Sequence, residues 1–546
     1  MNGSPSLAGA ATTLPGATSA PLSLPLPRIE VRAMPAPAAL KLARCMVGCA
    51  LACMFLAHLA MLTFVDPDLW HETALAREML AQGTMPLVDQ YAYTPTVTPV
   101  VHHEWGTGLV LHLTLLAGGA PALLILKYAL SFGTAWLCCA AARRRGASWE
   151  VILSLAPLTI LCGVIGFTTI RAQLFTLFFI SLLLYDLADA EVAVGGNSSA
   201  TPACGTWKKW LKWLPLFVAW LNLHAGFIVG VGILVLHGCE RLIRRRPVKW
   251  LIAAGIGLAA LVAINPYGFA YYPYLLHGLT LARPRITEWQ PLWTAEPTMF
   301  QAYLASVLVV LYAVAQLGIR RMPGLLILAV CGYMAVRHTR HLSIYLAAWL
   351  CLTPGYIQQT RLGTMLQSIW LRRRRAIAAV AALLTGFCAV RAVVAQPWQV
   401  VMPTTQAEEK LGLPVYPIGP VAYLKEHRFQ GNLFTPFIMG GYCLNQLYPA
   451  VKVSFDGRYE VAYPTGMLEE NVDFYAAKPG WQETLAKYPT DAVLVPRSVE
   501  VAAELAKLCD WTAVYSDATY QIFARRSVTT LPKFERPDVP RPAAFP

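Results

Sequence analysis

The chain has 546 residues, of which 56% are hydrophobic and 14% charged. A soluble chain has roughly a quarter of its residues charged, which excludes a water-soluble globule as the whole of this protein. The formal net charge of +14 is not a nucleic-acid surface: residues 397–546 carry 14 Lys+Arg against 16 Asp+Glu, so the excess lies in short basic clusters between apolar runs.

In chain order, residues 1–42 are rich in Pro, Ala, Ser and Gly. They are expected to form a disordered cytoplasmic arm. The apolar run that starts near Ala43 is too long for a signal-peptide core and has no clear small-residue cleavage site, so it is expected to remain as a membrane helix. Runs able to cross a hydrocarbon layer of ~30 Å are predicted at 43–64, 121–142, 150–167, 173–189, 210–224, 226–243, 248–265, 298–318, 323–337, 341–357 and 376–395. The fold class is thus a polytopic α-helical membrane protein of about eleven crossings, over residues 43–396.

The basic clusters test that count. Arg143–Arg145, Lys208-Lys209 with Lys212, Arg241 with Arg244–Arg246, Arg320-Arg321 and Arg372–Arg375 all fall on one side, joined by Arg28, Arg32 and Lys41. The positive-inside rule makes that side cytoplasmic and puts everything after residue 397 outside. Residues 104–118 are apolar but break the parity if counted as a crossing, so they are predicted as a helix at the outer interface anchored by Trp105.

Four outer segments result: 65–120, 168–171, 265–298 and 337–341. His71, His102, His103, His224, His277, His338, His341 and His427 map to the outer side. Residues 397–530 read as a small soluble α/β domain outside the membrane, with a disordered tail at 531–546. Its predicted strands are Gly431–Phe437, Val451–Phe455 and Ala492–Val495. Short helices are predicted at Gly440–Tyr448 and Val499–Leu508, and a hairpin at Trp511–Arg525. Cys443 and Cys509 both lie in this part and can be paired if the compartment is oxidising.

The polar residues of the outer segments are the candidates for chemistry. Asp66-Pro67-Asp68 follows the first apolar run directly. Two carboxylates there can act as a general base or bind a divalent cation such as Mg²⁺ or Mn²⁺, or can cap the helix that follows, with Glu72 in its first turn. His103 and Glu104 in His102-His103-Glu104-Trp105 lack helical zinc spacing and suit hydrogen bonds to a sugar, or a solvated helix start. Arg171, with Gln173, and Arg337, His338, Arg340 and His341 place cations outside, against the positive-inside pattern. A lipid phosphate would explain them, because guanidinium binds phosphate bidentately; ordinary anionic headgroups are the alternative. His224, in Asn222-Leu223-His224-Ala225-Gly226, sits in a tight turn. Glu288, beside Trp289, suits either sugar binding or an interface anchor.

These motifs resemble, in order along residues 60–525, a bacterial family of GT-C-type membrane glycosyltransferases. Asp66-Pro67-Asp68-Leu69-Trp70, Val88-Asp89-Gln90-Tyr91 and His103-Glu104-Trp105 carry the resemblance in the first outer loop. Arg171-Ala172-Gln173-Leu174-Phe175, Asn222-Leu223-His224-Ala225-Gly226, Asn265-Pro266-Tyr267-Gly268, Glu288-Trp289 and Arg337-His338 continue it. Gly440-Gly441-Tyr442 and Asp456-Gly457-Arg458 complete it. Better-known relatives of that group are the protein O-mannosyltransferases and the lipid A aminoarabinose transferases. The resemblance implies an inner-membrane, inverting hexosyl- or pentosyltransferase with a polyprenyl-phosphate-linked sugar donor used at the periplasmic face. It also implies a lipid, glycan or protein acceptor, Asp68 or Asp66 as base or metal ligand, and Arg171 or Arg337 on the lipid phosphate. A transporter or flippase for a lipid-linked or anionic substrate is the alternative. It would favour charges buried mid-span at both depths, whereas here they gather at one face.

Overall fold

The computed structural model describes residues 37–60, 63–162, 166–167, 169–192, 211–535 and 545. All but the end of the expected N-terminal arm, and Lys208-Lys209, lie outside these residues. The first part is a bundle of α1 (Ala38–Ala60), α2 (Asp68–Gln82), α3 (Trp105–Arg144), α4 (Trp149–Cys162), α5 (Gln173–Val192), α6 (Trp213–Leu223) and α7 (Phe227–Ile243). It continues with α8 (Lys249–Leu261), α9 (Tyr271–Thr280), α10 (Pro297–Leu317), α11 (Leu325–Arg337), α12 (Leu342–Ile357) and α13 (Arg361–Val394). Each of the eleven stretches picked out by hydropathy overlaps one of these helices. By length and composition, α1, α3, α10 and α13 are able to cross a membrane.

Sequence explains where these helices break. α3 changes direction at Gly118-Gly119, where Gly119 takes φ 60° just ahead of Pro121. Left-handed backbone is cheap for glycine, and proline removes a helix donor. The break separates a limb at 105–117 from the long apolar limb. Trp105 does not simply anchor that limb in an interface: its indole N–H donates to Asn222 Oδ1 at 2.9 Å, tying the helix start to the α6–α7 turn. α12 is apolar around its circumference and buried along its whole length, as a helix without a polar face must be. Glu240 on α7 accepts hydrogen bonds from the Gly324 and Leu326 N–H groups, both 2.6 Å, and so caps the positive end of α11.

The second part is built on a six-stranded sheet. Its strands are β1 (Gly431–Phe434), β2 (Val451–Val453), β3 (Ala492–Pro496), β4 (Trp511–Ser516), β5 (Tyr520–Arg525) and β6 (Phe534–Glu535), in the order β2-β1-β3-β5-β4-β6. β2, β1 and β3 run parallel, and β3-β5-β4 antiparallel. A parallel pair needs a crossover, and α15 (Phe437–Leu447), following α14 (Ile418–Glu426), supplies it between β1 and β2. α16 (Met467–Tyr475) and α17 (Trp481–Lys487) lead to β3. The stretch after residue 530, read from sequence as a tail, begins with β6, parallel to β4. Cys443 and Cys509 are both free, the first buried and the second exposed.

β3 shows how the two parts join. Its side chains alternate between two cores: Val493 and Val495 face one, Ala492 and Leu494 the other. That second core does not stop at the sheet. It continues through Tyr416, Tyr442 and Leu444 into Val65, Leu69, Trp70 and Ala74 of the first loop and α2. Trp70 stands edge-on to Tyr442 at 4.9 Å and to Tyr416 at 5.9 Å. The Tyr416 hydroxyl donates to the Val65 carbonyl at 2.9 Å. α2 is therefore a shared element, and Asp66 and Asp68 at its start are set by both parts of the chain.

Candidate functional site

A cavity of about 1810 Å³ opens where the loops around α2, α3, α5, α7, α9, α11 and α12 meet the sheet-bearing part. Pockets for a single small ligand are typically about 300–1,000 Å³, so this one has room for two substrates. Asp66, Asp68, His103, Glu104, Arg171, His224, Glu288, Arg337, His338 and Arg340 all line it. Sequence positions more than 270 residues apart are thus brought to one place.

At its centre is Arg171, in the tight turn between α4 and α5. Its Nε lies 3.0 Å from Asp66 Oδ2, its Nη2 3.5 Å from Asp68 Oδ2 and its Nη1 2.8 Å from Glu288 Oε2. The two aspartates differ. Asp66 is buried, and its oxygens also accept from the Asp68 backbone N–H at 3.0 Å and the Thr169 hydroxyl at 2.6 Å. Asp68 keeps a side chain 38% exposed, facing the cavity. Enclosure and the Asp66 carboxylate push the Asp68 carboxyl well above the usual carboxylate range. Asp66 is thus buried with both oxygens engaged, whereas Asp68 meets Arg171 only at the longer contact and faces the cavity.

This geometry also tests the divalent cation considered for Asp66 and Asp68. The Arg171 guanidinium occupies the space between the two carboxylates, and both Asp66 oxygens are engaged. Among the described residues no group of three or more His, Cys, Asp or Glu side chains is arranged to hold a metal. The pair as folded does not fit Mg²⁺ or Mn²⁺.

Glu288 joins a second arginine. Arg340 Nη1 lies 3.4 Å from Glu288 Oε1, and its guanidinium stacks 4.5 Å from the Trp289 ring, which Arg283 faces at 4.2 Å. Burial would raise the Glu288 carboxyl, but Arg171 and Arg340 outweigh it and hold it below its ordinary value. His338 donates from Nδ1 to the Trp289 carbonyl at 2.7 Å, so it fastens this loop to the end of α11. Arg337 is different: it is exposed to the cavity and pairs with no described carboxylate.

On another wall, Glu104 Oε1 lies 3.2 Å from His103 Nε2 and 3.3 Å from His224 Nε2. The other ring nitrogens are held by the Tyr274 hydroxyl at 2.6 Å and the Thr176 hydroxyl at 2.7 Å. Both imidazoles are thereby fixed in orientation on a carboxylate.

Some residues that build the site carried no clear sequence signal of their role. Asp456-Gly457-Arg458 carried the resemblance but no assigned role. Here Arg458 Nε and Nη2 grip Asp456 at 2.8 and 2.7 Å, and Nη1 pairs with Asp89 of the first loop. Burial would raise the Asp456 carboxyl; Arg458 overrides it and holds it at about 2. The triad clasps the first loop to the sheet. Its signal was the recurrence of Asp89 and Arg458 in two ordered motifs. Thr169 and Glu72 sat within segments already singled out, yet only packing shows what they face.

A multi-helix bundle is thus joined to a sheet-bearing part, with an acidic and arginine-rich cavity where they meet. No protein-family model matches the sequence, and no curated protein matches it. Among solved structures, the Archaeoglobus fulgidus oligosaccharyltransferase in its apo form aligns with a TM-score of 0.55 at 12% identity, covering 82% of this chain and 69% of that one. ArnT from Cupriavidus metallidurans bound to undecaprenyl phosphate gives 0.48 at 14% identity, over 89% of this chain and 98% of that one. Its apo state gives 0.49 at 14% identity, over 91% and 99%. At 12% identity, what this chain shares with the oligosaccharyltransferase is its fold.

Proposed function

We propose that this protein is an integral membrane glycosyltransferase that takes a sugar from a polyprenyl-phosphate-linked donor at the outer face of a bacterial inner membrane. One observation carries the reading: a single large cavity holds an accessible carboxylate, Asp68, and an uncompensated guanidinium, Arg337, on opposite sequence elements. Attack of a hydroxyl on an anomeric carbon needs a base. A departing lipid phosphate needs positive charge rather than a proton. In this reading Asp68 takes the hydroxyl proton of a lipid, glycan or protein acceptor as its oxygen bonds the anomeric carbon. The bond to phosphate breaks on the opposite face, with inversion, and Arg337 and Arg340 meet the phosphate charge. Arg171, matched by three carboxylates, holds Asp66, Asp68 and Glu288 in place rather than gripping the donor alone. The test is the fate of the sugar–phosphate bond when the purified protein is given such a donor.

The orientation belongs to the same proposal: about eleven crossings, the N-terminus cytoplasmic, and the sheet-bearing part periplasmic. Its support is the agreement of five internal basic clusters in parity. In a Cys509→Ser background, an impermeant thiol reagent added outside is expected to label a cysteine introduced at Gly480 and not one at Arg144. The reverse pattern would overturn the orientation and with it the outer placement of the cavity.

A further inference from the structure

Two glycines at the start of α3 decide what surrounds Glu104. A Cβ on Gly106 would stand 2.5 Å from the Asn222 carbonyl oxygen, so α3 meets the α6–α7 turn at backbone distance. Gly108 donates its N–H to the Glu104 carbonyl at 3.0 Å, one turn on. A Cβ there would stand 2.5 Å from the Glu72 carbonyl oxygen and 3.2 Å from the Glu72 Cβ. The first approach delivers His224 to Glu104. The second presses α2 against the first turn of α3, and the Glu72 carboxyl there lies within hydrogen-bond reach of the Glu104 carboxyl.

Glu72 is 4% exposed and lines the cavity. No described residue donates a hydrogen bond to either of its carboxyl oxygens. A buried carboxylate left that way costs on the order of several kcal/mol. The groups that face it do not help. Asp68, one turn earlier on the same helix face, and Asp66 before it are acidic, as is Glu104 on α3. No cavity cation pairs with it: Arg171 is engaged by Asp66, Asp68 and Glu288, Arg458 by Asp456 and Asp89, His103 by Glu104, and Arg337 does not reach Glu72.

We infer that Glu72 and Glu104 hold one proton between them, Glu72 as the neutral acid donating its O–H to Glu104, and that Glu72 is a positioning residue for the transfer proposed above. The inference rests on that reading for its purpose. The pair keeps Glu104 ionised between two imidazoles, while placing one negative charge rather than two beside an anionic donor. Burial and the Glu104 carboxylate do push the Glu72 carboxyl well above the usual range. Burial would raise Glu104 too, but His103 and His224 outweigh it and hold Glu104 well below.

The direct test is infrared spectroscopy of the purified full chain at pH 7. The parent minus Glu72→Gln difference is expected to contain the C=O band of a protonated carboxylic acid. Its absence overturns the shared proton. Transfer assays test the purpose. Glu72→Gln keeps an N–H donor without titrating, so its rate at pH 7 is expected within about threefold of the parent, whereas Glu72→Leu, with no donor, loses roughly tenfold. A raised acid is neutral below its pKa and ionised above it. The parent's rate is therefore expected to fall at alkaline pH as Glu72 ionises against its acidic neighbours, and that fall is expected to vanish in Glu72→Gln. An alkaline limb unchanged by Glu72→Gln overturns the positioning role. A carboxylic band in a protein that transfers no sugar leaves the pair standing and refutes the transfer reading instead.

Discussion

Replacing Asp68 by Asn is expected to lower the sugar-transfer rate by ~10² to 10⁴, the usual loss when a general base is removed. The expectation is specific to Asp68 because the two aspartates are not equivalent. Asp66 already accepts from Arg171, Thr169 and the Asp68 backbone, and is buried away from a substrate. Asp68 is tied to Arg171 by a longer 3.5 Å contact and faces the cavity. Asn preserves its shape and removes its basicity, so donor binding is expected to survive. A base acts when ionised, and Asp68 is held well above the usual carboxylate range by its enclosure and by Asp66. The acid limb of the rate profile is therefore expected at higher pH than for a free carboxylate, with activity lost as pH falls through it. Full activity in folded Asp68→Asn protein would remove Asp68 as the base and make Glu104 the next candidate.

The second large effect is expected on donor affinity. Arg337 is the cavity guanidinium without a described carboxylate partner. A charge-assisted bond to phosphate is worth about 1.5–3 kcal/mol, so Arg337→Ala is expected to weaken binding of a polyprenyl-phosphate sugar roughly 10- to 150-fold. Arg337→Lys keeps the charge but loses the bidentate fork and is expected to fall between. Arg171→Ala is expected to behave differently. It leaves Asp66 buried without its cation, so loss of folded protein should accompany loss of activity. Titration of detergent-solubilised protein with the lipid donor, with melting curves alongside, separates the two. Unchanged affinity in Arg337→Ala would exclude it from the phosphate site.

Much of the helical part was legible because apolar runs of membrane length announce themselves one at a time. The break at Gly118-Gly119 falls between the two segments read from sequence, 104–118 and 121–142, where paired glycines precede Pro121. The strand pattern of the sheet followed from its alternating and β-branched residues. The site was legible as an inventory, not as an arrangement. Asp66, Asp68, Glu104, Arg171, Glu288 and Arg337 could each be suspected from an unusual position relative to the apolar runs. Which carboxylate meets which guanidinium is set by long-range packing that local pattern does not encode. Thus Arg171 read as a free cation until Asp66, Asp68 and Glu288 were found around it. Glu72 read as a first-turn acid of α2 because nothing in the sequence shows Gly108 pressing α3 against it. The joint between the two parts was hidden for the same reason: Trp70 and Tyr442 lie 372 positions apart yet stand edge to face at 4.9 Å.

The most direct measurement uses purified protein in liposomes, given a polyprenyl-phosphate donor labelled in its sugar, with membrane extract as the source of acceptor. The expected result is label released from the lipid and joined to an acceptor by parent protein, lost in Asp68→Asn, with free polyprenyl phosphate formed in equal amount. Label that crosses the bilayer still attached to its lipid phosphate, at equal rates in parent and variant, would contradict a transferase and identify a transporter.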